Sequence, residues 1–322
     1  MKAAVLYEPG SAENLVLEDR PILTPADGWV LVRVRAFGLN RSELMTRKGL
    51  SPNVRFPRVL GIECVGEVEY DPSGEYANGQ KVLALMGGMG RNFDGSYAEY
   101  TLLPKRMLRS FSSKLPWEVL GAIPEMFQTV YGSLHPALGI QPDETLLIRG
   151  GTSSVGMLAT QLASQVGLTV IATTRNPQKV QALQKQGARH VLIDNGALNE
   201  QVRAIFPAGV DKVLELVGTS TLKDSLACLK PSGTGCMTGM LSETWSIADF
   251  APMEFIPATV RLTVYDSGQL TSPTGFFEEF IQRVEAGRVK LALSQVFTLD
   301  QIVVAHQFME SNAGAGKIVV VT

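Results

Sequence analysis

The 322-residue chain has three cysteines, Cys64, Cys228 and Cys236, with no Cys-x-x-Cys spacing. An odd, scattered set excludes a disulfide framework and a four-cysteine metal loop, and suits core thiols in a reducing compartment. Long apolar runs are also missing: nothing approaches the roughly 18 uninterrupted residues of a membrane helix. The start, MKAAVLYEPG, has one lysine and a brief apolar run broken by Glu8 and Pro9. It has neither the apolar core nor the cleavage site of a secretory leader. Charge of one sign is scarce as well. Twenty-nine basic and 31 acidic residues give a net charge of −2, which offers no electrostatic footprint for nucleic acid or an anionic membrane. These absences lead us to expect a cytoplasmic protein whose partner is a small-molecule substrate.

What is present is a chain 45% apolar, with 31 glycines and 17 prolines, long enough for two domains at about 100–200 residues each. Up to residue 115 it reads as short strands broken by turns. VLVRVRAFGL (30–39) alternates apolar and basic positions, and GIECVGEVEY (61–70) and KVLALMG (81–87) follow. From 117 the tempo changes. TLLIRGG (145–151) is a buried strand, VGMLATQLASQVG (155–167) a helix, LTVIATTR (168–175) a strand, NPQKVQALQKQG (176–187) a helix and HVLID (190–194) a strand. VDKVLELVG (210–218), TLKDSLACL (221–229) and GTGCMTGM (233–240) continue the alternation, which predicts an α/β fold with a doubly wound parallel sheet. FIPATVRLTVYDSG (255–268) reads as a late edge strand. QVFTL (295–299), DQIVVAHQFMES (300–311) and KIVVVT (317–322) read as strand, helix and strand that rejoin the first domain.

GGTSSVG (150–156) lies between strand and helix, where a dinucleotide-binding loop brings its backbone and the helix N-terminus to a pyrophosphate. Gly150 and Gly156 frame it, and Ser153 stands where the fingerprint has its middle glycine. Thr152, Ser153, Ser154 and Val155 therefore join the two glycines as candidate cofactor contacts. An NAD enzyme carries an acid at the end of the next strand to bind the ribose hydroxyls. Here that strand ends Thr174-Arg175-Asn176, with Lys179 following. No carboxylate repels a 2′-phosphate, and Arg175 and Lys179 can pair with one. The expected cofactor is NADP(H).

With these segments, AFGLNRSELMTRKG (36–49), GIECVGEV (61–68), DGSYAEYTLLP (94–104) and the closing AHQFMES…GK (305–317), the chain resembles the zinc-free quinone oxidoreductase branch of the medium-chain dehydrogenase/reductase superfamily. The resemblance implies a GroES-like β-rich catalytic domain, 1–116 and 292–322, and a Rossmann NADP(H)-binding domain, 117–291, meeting at a cleft. It implies a catalytic role for Asn40, beside the nicotinamide, and for Ser42, in the place of a proton-relaying hydroxyl. It adds Thr129, Val217 and Lys317 as cofactor contacts, and a homodimer paired through the late edge strand.

Zinc-dependent relatives hold their metal where this chain has Asn40, Ile62 and Glu125. Isoleucine cannot ligate, so no metal site is expected; the oxygen donors left would be Asn40, Glu63 and Glu125. Without a Lewis acid, hydride delivery to a quinone or an α,β-unsaturated carbonyl is easier than alcohol oxidation, because the charge spreads into an enolate or quinol. Some relatives have tyrosines where this chain has Met45 and Ser51, which leaves Tyr97, Tyr131 and Tyr265 as phenols elsewhere. Two other readings compete. One is an enoyl-thioester reductase, for which a basic cleft mouth built from Arg47, Lys48 and Arg55 would speak. The other is a non-catalytic NADPH-binding protein. His135, His190 and His306 pair with no nucleophile or thiol at useful spacing and read as structural.

Overall fold

Alternation along Trp29–Gly38 builds the longest strand: Val30, Val32 and Val34 face the core, while Arg33 is exposed and Arg35 pairs with Glu67 at 2.6 Å on the neighbouring strand. The computed structural model describes residues 1–269, 273 and 275–322. The chain divides into two units, Met1–Glu125 with Thr271–Thr322, and Met126–Leu270.

In chain order, the N-terminal strands are β1 (Lys2–Leu6), β2 (Leu15–Asp19), β3 (Trp29–Gly38), β4 (Arg58–Val59), β5 (Glu63–Tyr70), β6 (Lys81–Leu85), β7 (Tyr100–Pro104) and β8 (Arg109–Ser110). The helices are α1 (Arg41–Arg47), α2 (Trp117–Leu120) and α3 (Pro124–Gly132). Then come β9 (Thr145–Arg149), α4 (Ser154–Val166), β10 (Thr169–Thr174), α5 (Val180–Lys185), β11 (His190–Ile193), α6 (Leu198–Ile205), β12 (Val210–Glu215), α7 (Thr219–Ala227), β13 (Leu229–Met237), α8 (Pro252–Phe255) and β14 (Arg261–Val264). The chain closes with α9 (Phe276–Glu285), β15 (Leu293–Thr298), α10 (Ile302–Ser311) and β16 (Lys317–Val321).

The first unit is a seven-stranded sheet in the order β15-β16-β3-β5-β6-β8, with β7 also paired to β3, and a small sheet β2-β1-β4. β16 runs antiparallel to β3, with Val319 opposite Gly38 and Val320 opposite Phe37. The C-terminal strand thus does return to the first unit. Phe37 stacks on Tyr97 with ring centroids 4.8 Å apart, and the Tyr97 hydroxyl meets His306 Nε2 of α10 at 3.0 Å. Burial, helped by Arg47, lowers the His306 pKa to about 3, so this imidazole is a neutral core group.

The second unit holds a wholly parallel sheet in the order β11-β10-β9-β12-β13-β14, the doubly wound arrangement expected. Leu147, Ile171, Val213 and Leu226 are buried together, each such side chain contributing about 1.5–3 kcal/mol. α4 starts because Ser153 caps it and stops at Gly167, whose φ of 101° an L side chain resists. Two expected elements are shorter than their sequence pattern. The helix of 176–187 opens as a 3-10 turn capped by Asn176, and the late edge strand is confined to Arg261–Val264. Pro252 starts α8, and Pro257 withholds an N–H just before the strand. Among the described residues no helix is long and apolar enough to cross a membrane.

Candidate active site

The loop from β9 to α4 is held by its own polar atoms. Gly150 has φ +84°, its N–H donates to Thr173 Oγ1 at 3.1 Å, and its carbonyl accepts from Ser153 Oγ at 2.8 Å. Ser153 Oγ in turn accepts from the Gly156 N–H at 3.1 Å. Ser153 is therefore an N-cap that closes the loop with its side chain, where a glycine would leave the loop to its backbone alone. A Cβ at Gly156 would lie 2.5 Å from the Gly150 carbonyl oxygen, so only glycine fits there. With Gly156 N capped, the N–H groups of Ser154 and Val155 are the donors at the head of α4. Val217 reaches the same loop: a Cβ on Gly150 would meet Val217 Cγ2 at 3.6 Å.

At the end of β10, Thr174 is buried and its hydroxyl accepts from the Asn176 N–H at 3.1 Å, shaping the turn. Arg175 is exposed and Lys179 half-buried. Burial, then the Arg175 charge, holds the Lys179 ammonium below its ordinary pKa, so the two cations are neighbours. Asp194, which follows the neighbouring strand β11, is bonded to Arg149 through both oxygens at 2.8 and 2.9 Å. Thr129 lies within α3, 8% exposed, and its carbonyl accepts from Ser133. Thr152 sits half-buried ahead of the Ser153 cap.

In the first unit, Asn40 caps α1 through a reciprocal box with Glu43. Its amide nitrogen donates to Glu63 Oε1 at 2.8 Å and its Oδ1 accepts from Lys317 Nζ at 2.6 Å. Lys317 Nζ also donates to Glu63 Oε1 at 2.7 Å, and Glu63 Oε2 accepts from the Glu125 N–H at 2.7 Å. Lys317 is 1% and Glu63 0% exposed. Glu43 accepts from the N–H groups of Asn40 and Ile62, at 3.0 and 3.2 Å. Its pKa still rises to about 7, because burial and then the Glu63 charge outweigh those donors.

Asn40 and Lys317 thus meet each other, and both ends of the Asn40 amide are bonded within the chain. The Asn40 amide nitrogen, bonded to Glu63 Oε1, also lies 3.4 Å from the Gly38 carbonyl and from Glu43 Oε1, and the Lys317 ammonium bonds both Asn40 and Glu63. Zinc does not fit this donor set. Ile62 offers no donor, Asn40 Oδ1 and Glu63 Oε1 are taken by an ammonium, and burial pushes the Cys64 thiol up to about 12. Arg47 and Lys48 likewise form no basic mouth. Arg47 is fully buried, and both pair with Glu310, at 2.7 and 3.4 Å.

Ser42, in the first turn of α1, receives a hydrogen bond from Arg91 Nη2. Sequence reasoning missed Arg91; its only signal is a lone cation closing the glycine-rich turn MGGMGR. The tyrosines are engaged elsewhere: Tyr97 with His306, Tyr265 donating to the Gln128 carbonyl at 3.1 Å, and Tyr131 packed on His135.

Residues 26–113 match the family described as the alcohol dehydrogenase GroES-like domain, and residues 154–285 the family described as zinc-binding dehydrogenase. The chain is 26% identical over 331 residues to a 2-haloacrylate reductase of Burkholderia sp, spanning 98% of each protein. It is 27% identical over 349 residues to the synaptic vesicle membrane protein VAT-1 homolog of Danio rerio, spanning 100% of this chain and 70% of that protein. Among solved structures, Escherichia coli quinone oxidoreductase complexed with NADPH superposes at a TM-score of 0.89 with 25% identity, over 100% of both chains.

Proposed function

Because the chain belongs to the medium-chain dehydrogenase/reductase superfamily of oxidoreductases, we propose that it is an NADPH-dependent, zinc-independent reductase of quinones or α,β-unsaturated carbonyl compounds. The observation that carries this reading is the capped Gly150–Gly156 loop, set beside adjacent cations at the end of β10 where an NAD enzyme has an acid. The N–H groups of Ser154 and Val155 receive the pyrophosphate, Val217 and Thr129 pack on the cofactor, and Arg175 and Lys179 hold the 2′-phosphate. When bound, the cofactor supplies the hydride, and the acceptor's double bond takes a proton at its other carbon. Lys317 and Glu63 act as positioning residues that fix Asn40 and hence the start of α1, on which Ser42 sits. The related quinone oxidoreductase and 2-haloacrylate reductase support acceptors of this class.

We further read the protein as a cytoplasmic homodimer. Its cysteines are buried free thiols. β14 ends its sheet, with Arg261 exposed and Val264 68% exposed, an edge free to pair with a second copy.

The test is NADPH consumption by chelator-treated protein, offered a benzoquinone, an alkenal and crotonyl-CoA, with NADH as control. Turnover favouring NADPH by roughly 10-fold or more is expected, the worth of one charge-assisted bond. Equal use of NADH would remove the role given to Arg175 and Lys179. Tight NADPH binding with no turnover on any acceptor would favour the non-catalytic reading.

A further inference from the structure

Three arginines, Arg47, Arg58 and Arg91, keep a buried guanidinium nitrogen without a hydrogen-bond partner, and among the described residues only Arg91 of these three has no carboxylate beside it. Arg35, Arg47, Arg58 and Arg149 each pair with a carboxylate. Arg91 donates to the Ser42 hydroxyl, its Nε is buried with no hydrogen-bond partner, and among the described residues no carboxylate pairs with it. A guanidinium with a desolvated, unmatched N–H is costly unless an anion completes it. Its position is fixed by the turn that carries it. A Cβ on Gly90 would lie 2.6 Å from the Gly61 carbonyl oxygen, and one on Gly95 2.1 Å, so the 90–95 segment sits directly on the Leu60–Gly61 backbone.

Ser42 completes the donor set. Because its oxygen accepts from Arg91, its own O–H is left to donate, and among the described residues it has no acceptor. The neighbouring amide of Asn40 is already committed to Glu63, and its Oδ1 to Lys317. What this end of the first unit offers a ligand is therefore a cation and a hydroxyl, donors without an acceptor. A neutral quinone or enal would leave the guanidinium unneutralised. A carboxylate matches it in charge and in planar geometry.

We propose that Arg91 and Ser42 bind a carboxylate carried by the acceptor, so that the preferred substrates are α,β-unsaturated carboxylic acids. This rests on the reading of the protein as a reductase of activated double bonds, and narrows it. An unsaturated carboxylate is by itself a poor hydride acceptor, because its negative charge opposes the electrons arriving at the β-carbon. Pairing with Arg91 offsets that charge. The electron pair displaced from the double bond moves onto oxygens already held by donors, and a proton from water then reaches the α-carbon.

The experiment compares but-2-enoate with its methyl ester in the wild type, Arg91→Gln and Arg91→Lys, and measures butanoate binding to the same proteins by calorimetry. The wild type is expected to favour the carboxylate, and Arg91→Gln to lower the carboxylate-to-ester ratio of kcat/KM by roughly 100-fold and to abolish butanoate binding. Arg91→Lys, which keeps the charge and loses the fork, is expected to lose roughly 10-fold in the same ratio, and serves if the glutamine variant does not fold. An unchanged ratio in the variants, or butanoate binding that survives in them, overturns the proposal while leaving the reductase reading standing. If no acceptor is reduced at all, the reductase reading fails, and loss of butanoate binding in the variants still supports the carboxylate site.

Discussion

In the Met126–Leu270 unit one buried cation serves several partners. Arg149, fully buried at the end of β9, forks onto Asp194 and also bonds Asp224 at 2.7 Å, Ser225 Oγ at 3.1 Å and the Thr221 carbonyl. A further buried acid, Glu215, is met by the N–H groups of Val217 and Gly218 and by Ser225. In the other unit two buried carboxylates, Glu43 and Glu63, share the single ammonium of Lys317. The first cluster ties β9, β11, β12 and α7 together. Burial pushes the Asp194 carboxyl up, but Arg149 outweighs it and holds the group below its usual range. Glu215 is raised by burial, with no second carboxylate contributing. In the Lys317 cluster a carboxylate neighbour adds to burial, and Glu43 is left titrating at about 7. Direct contact with the cation separates the two: Asp194 is held by Arg149 through both oxygens, whereas Glu43 bonds backbone N–H groups, has no cation bonded to it among the described residues and feels the Glu63 charge.

Breaking the rivet should have the largest effect. Arg149→Met leaves Asp194 and Asp224 uncompensated, and chemical denaturation should register a loss of about 3–5 kcal/mol; a loss below about 1 kcal/mol would mean that water replaces the arginine and that the cluster ties nothing together. Lys317→Met should cost about 3 kcal/mol by stranding Glu63. Combined with Glu63→Gln, the total should fall short of the sum of the single changes by more than about 1 kcal/mol, and simple additivity would show that the pair is not coupled.

The smallest effect is in pH dependence, and it separates the clusters. The folded pKa of Glu43 lies above its ordinary value of 4.5, so the stability linked to its protonation is fully present below that value and lost as pH rises through about 7. Relative to Glu43→Gln, the wild type should therefore lose about 2–3 kcal/mol between about pH 5 and about pH 8. Asp194, depressed below 3.8, contributes stability that is present above that value and lost only in acid. Asp194→Asn should leave the slope over the same neutral interval unchanged, and a matching slope in both variants would erase the contrast drawn between the clusters.

The parallel sheet was legible because β9, α4 and β10 keep clean periods, and the turn from β9 into α4 because its glycines fall between strand and helix. Ser153 looked like a lapse in the fingerprint, yet a serine before a helix is also a cap, and that is the role it plays. The spacing Asn40-x-x-Glu43 suits the capping box seen in the structure, but the bonds of the Asn40 side chain to Glu63 and Lys317 span 23 and 277 residues and leave no local signal. The rest was beyond one-dimensional pattern. Arg91 meets Ser42 across 49 residues and Lys317 meets Glu63 across 254, and no periodicity reports which surface cation the sheet will swallow. Arg47 misled for the same reason: its place near the end of α1 suggests solvent, but Glu310, far along the chain, covers it.

The seating of β16 between β3 and β15 also sets an order of events during synthesis. A ribosome delivers Asn40 and Glu63 long before Lys317, which follows Asn40 by 277 residues. Until then β3 has no β16 beside it, and the Glu63 carboxylate has only water for a counterion. The parallel-sheet unit, whose strands all lie between residues 145 and 264, has its whole sequence out of the tunnel first and can fold while the earlier half waits. The segment with the older residues is thus the last to mature, and a nascent chain stalled before residue 317 would hold a finished parallel-sheet unit and an unfinished first unit.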